Sequence, residues 1–241
     1  MKIAAIMAGG MDGPVECGRY GEVVESRGGE LHWFYRRHRH GLPAVNDFDA
    51  MIVFGGEHSV HDPMLKPYFD ELAGCIRAFD QAQKPVLGSC LGCQSIAYAY
   101  GGTVRPQGFL EYGFTALELT EAAASDPLLA GLEQQQMLFE MHSDTFDLPA
   151  GAVSLMTGSR VQNQAFRIGD RVWGFQCHFE VTPAIVDAWN RRELIGNPNQ
   201  PQSVVTRLIQ QLDGDFNQYQ RAQTAFAQTV VGRWLDVVEQ G

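Results

Sequence analysis

A strand, a tight turn and the start of a helix follow one another in residues 85–94, and this stretch limits the fold more than any other. The turn has the form Gly-x-Cys-x-Gly, with Cys90 between Gly88 and Gly92. Only small side chains fit where a strand turns sharply into a helix. At a helix N-terminus, the dipole and the unpaired N–H groups favour the thiolate form of a cysteine. We therefore expect a nucleophile that attacks an electrophilic carbon; a buried, unreactive thiol is the plainer alternative.

Apolar segments alternate with amphipathic segments through the first half of the chain. The predicted strands are residues 2–7, 31–35, 47–54 and 85–88, and the predicted helices are residues 15–27, 63–79 and 91–100. This alternation is typical of right-handed βαβ units, which build a parallel sheet with helices on both faces. Ligands of such sheets bind beyond the carboxyl ends of the strands. We therefore expect Gly9-Gly10, Gly55-Gly56 and the Cys90 turn to converge on one crevice.

The second half of the chain adds strands and helices of a different pattern. The predicted strands are residues 114–119, 153–157, 163–168 and 171–177, the last two joined as a hairpin by Gly169-Asp170. Thr182-Pro183 predicts a helix start, and two more helices are predicted on either side of Gly214. We expect an α/β fold with a flavodoxin-like open, mostly parallel sheet flanked by helices. A β-hairpin would carry a His/Glu pair, and helices would be added at the C-terminus.

The chain is predicted to hold one main domain and an extension. The main domain is predicted to span residues 1–196, and residues 197–241 are predicted to form a helical extension packed on the same domain. The extension is expected to cover the sheet, while docking of a partner and formation of a homodimer stay open as alternatives.

His178 and Glu180 follow the predicted hairpin and are separated by one residue. In an extended strand such residues point to the same side, so Phe179 would face away from them. A carboxylate beside an imidazole holds its tautomer and stabilises the imidazolium. A single histidine on a strand is usually a hydrogen-bonded core residue. Together with Cys90, however, the pair favours a Cys–His–Glu triad.

Composition excludes several classes of function. The formal net charge of −10 argues against a general nucleic-acid binder, and the basic cluster at residues 36–40 is interpreted as a solvated loop. No apolar run approaches the length of a membrane span, and no secretory signal is recognised. The five cysteines are an odd number and are expected to stay reduced in a cytoplasmic protein.

Two motifs together resemble the class I glutamine amidotransferase family. They are Gly-Ser-Cys-Leu-Gly-Cys-Gln at residues 88–94 and Gln-Cys-His-Phe-Glu-Val-Thr-Pro at residues 176–183. The chain is similar to stand-alone proteins that resemble the amidotransferase domain of GMP synthase, from residue 1 to about residue 189. The family implies that Cys90 attacks the side-chain amide of glutamine or of a γ-glutamyl small molecule. His178, oriented by Glu180, would protonate the departing ammonia and then activate water to hydrolyse a γ-glutamyl thioester.

The resemblance also implies the residues that surround the reaction. Backbone N–H groups of Gly56 and Leu91 would form the oxyanion hole. The remaining substrate-binding positions carried over from the family are Gly55, Gln94, His142, Ser143 and Asp144, although a plain loop residue is an equal interpretation of His142. No cofactor and no metal are implied.

The chain departs from the family pattern at three places. Glu57 follows the glycine pair where related proteins often have proline, which places an acidic group near the pocket. Phe179 stands where GMP synthases have proline. Glu111 begins a Glu-x-Gly segment for which a rim or structural role is expected.

Several alternatives remain open. Cys90 and Cys93 form a C-x-x-C pair, which is typical of thiol–disulfide redox proteins, whereas the triad interpretation makes Cys93 a packed helix residue. His58-x-x-His61 and His38-x-His40 are expected to be surface histidines rather than metal ligands.

The sequence carries no P-loop and no room for a synthetase domain. The ammonia would therefore pass to a separate synthetase partner, or the protein would hydrolyse γ-glutamyl bonds alone. A non-enzymatic binding protein on the same scaffold is a further alternative.

Overall fold

The computed structural model describes residues 1–7, 16–36, 41–198 and 200–241. The Gly9-Gly10 turn, most of the basic cluster and the His38-x-His40 pair lie outside these residues. The strands are β1 Lys2–Met7, β2 Glu30–Tyr35, β3 Ala50–Val53, β4 Val86–Ser89, β5 Val104–Leu119, β6 Gln135–Phe146, β7 Val153–Gly158, β8 Ala165–Ile168 and β9 Val172–Phe175. The helices are α1 Gly18–Ser26, α2 Lys66–Gln81, α3 Leu91–Ala99, α4 Pro183–Trp189 and α5 Gln202–Glu239, with a π-helical turn at Asn190–Leu194 and 3₁₀ turns at Val45–Asp47, Pro63–Leu65 and Glu121–Ser125.

The described strands form one nine-stranded sheet in the order β2-β1-β3-β4-β9-β8-β7-β5-β6. The half from β2 to β9 is parallel, and the half from β9 to β6 is antiparallel. The prediction of a mostly parallel sheet is therefore wrong, because the sheet is mixed. The helices α1 and α2 connect the consecutive parallel strands β1 to β2 and β3 to β4, whereas β8 and β9 are joined by a short turn that requires antiparallel pairing.

The parallel strands are apolar because both faces of the sheet are covered. Alternate residues of β1 and β3 enter two different cores: Ile3 and Ile52 face α1 and the C-terminal half of α5. Ala4 and Met51 face α2 and α3 on the opposite side. This burial of successive residues explains the unbroken apolar runs of these strands.

The predicted signals for helix starts are confirmed, whereas the predicted hairpin turn differs in length. Asp62 accepts a hydrogen bond from the Met64 N–H at 2.9 Å, at the start of the 3₁₀ turn before α2. Thr182 accepts from the Ile185 N–H at 3.3 Å and caps α4. The predicted two-residue turn between β8 and β9 is wrong, because Ile168 pairs with Val172 and the loop therefore holds the three residues 169–171. Gly169 has a φ of +53° in this loop.

The C-terminal residues form one helix rather than the two that were predicted. The helix α5 runs for 38 residues through Gly214. Leu212 and Phe216 pack against Phe139 and Trp189, and Phe226 and Trp234 pack against the main core. Because apolar packing on both sides of Gly214 holds the backbone helical, the intrinsic cost of glycine, about 1 kcal/mol, is outweighed. The division of the chain at residues 196 and 197 stays a prediction.

None of the described helices combines the length and apolar character that a membrane span needs.

We expect Gly214→Ala to raise the free energy of unfolding by about 0.5–1 kcal/mol, because alanine is the better helix former. A methyl group at Gly214 has no atom within 4 Å, so no clash opposes this gain. Gly169→Ala is the matched control, since its site is equally open but has a φ of +53°. That variant should instead lose about 1–2 kcal/mol. Urea unfolding of both variants checks this, and a destabilised Gly214→Ala would contradict a continuous helix.

Candidate active site

Cys90 occupies a strained turn between β4 and α3. Its φ of 49° and ψ of −107° are unusual for a residue with a side chain. A Cβ at Gly92 would lie well inside contact distance of the Val53 carbonyl oxygen, and one at Gly88 would lie 2.6 Å from Ile96 Cδ1. The predicted need for small residues around the cysteine is therefore confirmed at both glycines.

Hydrogen bonds fix this turn to the neighbouring strand. The Cys90 N–H donates to the Phe175 carbonyl oxygen at 2.8 Å, and the Gln94 N–H donates to the Cys90 carbonyl oxygen at 2.9 Å. Because Phe175 ends β9, the residues that follow β9 start beside Cys90. This is how His178 reaches the turn.

His178 and Glu180 lie together, but not on a strand. The strand β9 ends at Phe175, and the pair lies in the turn beyond it. The strand geometry used to predict their shared side is therefore wrong, although the side chains do meet, with Nδ1 of His178 2.7 Å from Oε1 of Glu180. The same carboxylate oxygen accepts from Ser89 Oγ at 3.2 Å. Phe179 points into the main core, as expected.

Burial and charge act in opposite directions on His178. Burial alone lowers the pKa of this imidazole. The Glu180 carboxylate and a hydrogen-bonded contact with Cys90 raise it, and the resulting pKa lies well above the usual 6.5. The ring also packs edge-on against Trp189, with 4.8 Å between ring centroids. The surroundings of His178 therefore favour the protonated imidazole, beside Glu180 and Cys90.

A cavity of about 250 Å³ opens onto this group. Its wall contains every residue that the sequence predicted for the site, namely Gly55, Gly56, Cys90, Leu91, Gln94, His142, Ser143, Asp144, His178 and Glu180. A Cβ at Gly55 would lie 3.1 Å from His178 Cε1, so glycine keeps this wall open. Leu91 is the first residue of α3, where backbone N–H groups have no acceptor within the helix.

One side of the cavity is formed by residues that carry no recognisable motif in the sequence. Trp189, Arg192 and Glu193 also line it, as does Glu16. Arg192 Nη1 lies 2.8 Å from Glu16 Oε1, and Arg192 Nε lies 2.6 Å from Glu193 Oε1. The two residues Arg192 and Glu193 belong to a π-helical turn, which has no sequence motif that would have identified them.

His142 lies on strand β6, and the loop interpretation is wrong. Its side chain is 1% exposed and points into a buried acidic cluster, with Nε2 2.9 Å from Glu111 Oε2 and 3.3 Å from Glu140 Oε2. Nδ1 donates to the Asp144 carbonyl oxygen at 2.8 Å. Burial lowers the pKa of His142, but its hydrogen bonds with Glu111 and Glu140 prevail and raise it to about 10. Glu111 is buried, so of the rim and structural roles expected for it only the structural one fits.

The described part of the chain contains one group of side chains whose ligand atoms could surround a metal ion. The group consists of Glu111, Glu140 and His142, and its ligand atoms lie within 4.8 Å of one another. The hydrogen bonds do not favour such a site. An imidazole that donates from both nitrogens has no lone pair left for a metal.

The remaining histidines and cysteines differ in exposure. His61 is exposed, as expected, and lies 3.2 Å from the Asp144 carboxylate. His58, in contrast, is half-buried and lines the cavity. Cys93 is fully buried, and this burial raises its pKa well above the usual 9.0. Because a thiolate is needed for disulfide exchange, this environment favours the packing role predicted for Cys93.

The site has a nucleophile-elbow architecture. A cysteine lies at a strained strand-to-helix turn of an α/β sheet, beside a hydrogen-bonded His–Glu pair. Residues 25–189 match the family model of glutamine amidotransferase class-I. The glutamine amidotransferase-like protein YfeJ of Salmonella typhimurium is 33% identical over 174 residues, which cover 70% of this chain and 73% of YfeJ. This chain therefore belongs to the class I glutamine amidotransferase family.

A GMP synthase and two solved structures are also similar. The glutamine-hydrolyzing GMP synthase of Porphyromonas gingivalis is 35% identical over 61% of this chain, but the match covers only 27% of that protein. A Thermotoga maritima glutamine amidotransferase shares the fold with a TM-score of 0.81 at 19% identity, and 98% of each chain is covered. The glutamine amido transferase of Methylobacillus flagellatus has a TM-score of 0.78 at 27% identity, with 98% of this chain and 94% of that chain covered.

We expect Gly92→Ala to lower the free energy of unfolding by at least about 1–3 kcal/mol, because the added methyl group meets a backbone carbonyl that cannot move aside. Gly74→Ala in α2 is the matched control, since its added methyl group has no atom within 4 Å. Urea unfolding of both variants measures the difference. Equal stability of the two variants would mean that α3 does not pack on β3 as described.

The raised pKa values of the buried histidines predict a pH-dependent stability. A basic group whose pKa is higher in the folded than in the unfolded protein stabilises the fold. This contribution is complete at pH values below the unfolded pKa, and it is lost as the pH rises through the folded pKa. For His142 this window runs from 6.5 to about 10. We expect the free energy of unfolding to fall between pH 6.5 and 8.5, by up to about 1.4 kcal/mol per pH unit for one such group. Denaturant unfolding at several pH values should show a shallower slope for His142→Gln, and an unchanged slope would contradict a charged His142.

Proposed function

We propose that this protein hydrolyses the γ-amide of glutamine or of a γ-glutamyl small molecule, with Cys90 as the nucleophile. The observation that carries the proposal is the contact of 2.7 Å between His178 Nδ1 and Glu180 Oε1, made next to Cys90 in a cavity. Membership of the class I glutamine amidotransferase family supports the same chemistry.

In the proposed first step, the Cys90 thiolate attacks the γ-carbonyl carbon. The carbonyl oxygen becomes an oxyanion and accepts hydrogen bonds from the backbone N–H groups of Gly56 and Leu91. Preorganised donors of this kind each contribute about 10²–10³ in rate. The tetrahedral intermediate then collapses as its C–N bond breaks.

His178 handles the proton in both halves of the reaction. As an imidazolium it gives a proton to the departing ammonia or amine, which leaves a γ-glutamyl thioester on Cys90. The neutral imidazole then takes a proton from water, which attacks the thioester and releases glutamate. Glu180 orients the ring and stabilises its charged form, and the raised pKa of His178 is consistent with this role.

The fate of the ammonia stays a prediction with two branches. In one branch a separate synthetase partner accepts it, as the relationship to GMP synthase suggests. In the other branch the protein acts alone on γ-glutamyl compounds. A homodimer and a cytoplasmic location are further expectations of the same proposal.

We expect Cys90→Ala to lose at least about 10³-fold of the release of glutamate and ammonia from glutamine or γ-glutamyl peptides, because no other residue supplies the nucleophile. Cys93→Ala, only three residues away, should retain activity within about threefold, since Cys93 takes no part in the proposed steps. A coupled glutamate assay on the purified proteins measures both variants.

The two cysteine variants distinguish the proposal from the redox alternative. Loss of activity in Cys93→Ala as well as Cys90→Ala would favour the C-x-x-C interpretation, and full activity of Cys90→Ala would reject the proposed nucleophile. If the wild-type protein turns over no substrate alone, rapid alkylation of Cys90 would indicate a site that waits for a synthetase.

A further inference from the structure

A buried polar cluster lies behind one wall of the cavity and has no part in the proposed reaction. It consists of Glu111, Glu140, His142 and Gln164, and each of these residues is at most 5% exposed. Burial of so many polar groups is costly unless they are paired. The pattern of their pairing therefore indicates what the cluster holds in place.

Glu111 is the centre of the hydrogen bonds. The register of β5 and β6 places it directly opposite His142. Its Oε2 atom lies 2.9 Å from His142 Nε2 and also accepts from Gln164 Nε2 at 3.1 Å. The Glu111 carboxylate thus fixes the imidazole from the side that faces away from the cavity.

The other side of the imidazole acts on the cavity wall. His142 Nδ1 donates to the Asp144 carbonyl oxygen at 2.8 Å, and Gln94 Nε2 donates to the same oxygen at 3.3 Å. Asp144 and Gln94 both line the cavity. A continuous chain of contacts therefore runs from Glu111 through His142 to the wall that contains Ser143 and Asp144.

We propose that Glu111 is a positioning residue, which through His142 holds the Ser143–Asp144 wall in the geometry that receives the amino-acid end of the γ-glutamyl substrate. This inference rests on the proposed function. Glu111 touches neither the substrate pocket nor Cys90, so its loss should weaken recognition of the substrate and leave the chemical step largely intact.

Glu140 belongs to the same cluster but has a different role. Its Oε2 atom lies 3.3 Å from His142 Nε2, a longer contact than the 2.9 Å from Glu111, and its Oε1 atom has no hydrogen-bond partner among the described residues. Burial raises the pKa of Glu140, and the contact with His142 opposes this shift. Glu140 is therefore the weaker of the two carboxylate partners of His142, and glutamine keeps its size. The variants Glu111→Gln and Glu140→Gln make the same change in size, in one cluster and at similar burial.

The first test compares these two variants by steady-state kinetics with glutamine or the best γ-glutamyl substrate. We expect Glu111→Gln to raise KM about tenfold or more with kcat within about threefold, because a buried imidazolium loses its charged partner. Glu140→Gln should change both constants by less than about threefold. Equal effects of the two variants, or a fall in kcat alone, would overturn the positioning role.

The pH profile gives a readout that a purely structural role would not change. The titratable groups that face His142 are Glu111 from β5, Glu140 from β6 and Cys90 from the elbow. With Glu111 in place, KM should stay flat between pH 6.5 and 8.5. In Glu111→Gln the imidazole loses the nearer of its two carboxylate partners, which lowers its pKa, so KM should rise with pH across this range. A flat KM in both proteins would contradict the inference.

A labelling experiment separates failure of this inference from failure of the proposed function. A diazoketone analogue of glutamine reports recognition plus Cys90 reactivity, whereas iodoacetamide, which has no amino-acid end, reports reactivity alone. We expect Glu111→Gln to raise the half-saturating concentration of the diazoketone and to leave the iodoacetamide rate within about threefold. Equal slowing with both reagents would overturn the inference.

The same experiment gives distinct outcomes for the wild-type protein. If neither reagent modifies wild-type Cys90, the proposed nucleophile is rejected, and this inference is rejected with it. If Glu111→Gln does not fold, Gln164→Met replaces it, because this change removes the second donor to Glu111. That variant should raise the diazoketone half-saturation about threefold, and an unchanged value would overturn the positioning role.

Discussion

The close approach of α3 to β3 is the constraint on which the rest of the site depends. Gly92 lies so near the Val53 carbonyl oxygen that no side chain fits between them. This contact sets where α3 begins, and so holds Cys90 at a φ of 49°. Strain of this size persists only where surrounding contacts determine the backbone. The Cys90 N–H bond to Phe175 supplies one of these contacts and brings the end of β9 to the same point.

Two histidine–carboxylate pairs lie around the cavity and have different proposed roles. His178 with Glu180 faces the thiol, whereas His142 with Glu111 faces the back of the wall. In both pairs, burial opposes the charged imidazole and the neighbouring acid restores it. A buried imidazole paired with a carboxylate thus has a proton-transfer role in the proposed reaction and a positioning role in the proposed recognition of substrate. The difference lies only in what the second nitrogen contacts.

The parts of this fold that could be predicted from sequence are those set by local chemistry. The elbow glycines, the Asp62 and Thr182 caps and the position, though not the length, of the Gly169 turn each depend on a few neighbouring residues. The mixed sheet could not be predicted, because strand order follows from pairing between distant segments. Gly214 was interpreted as a helix break because glycine is a poor helix former, whereas packing on both sides of it decides the outcome. Likewise, His178 and Glu180 were correctly paired from an incorrect strand geometry.

The cavity combines walls of two different origins. The wall near Cys90 lies within the part of the chain that matches the family model, and it carries the residues proposed to hold and attack a γ-glutamyl carbonyl. The opposite wall comes from the π-helical turn at Asn190–Leu194 and includes the Arg192 contacts with Glu16 and Glu193. The family model match ends at residue 189, just before this turn. The chemistry proposed at Cys90 and the shape of the opposite wall therefore depend on different parts of the chain.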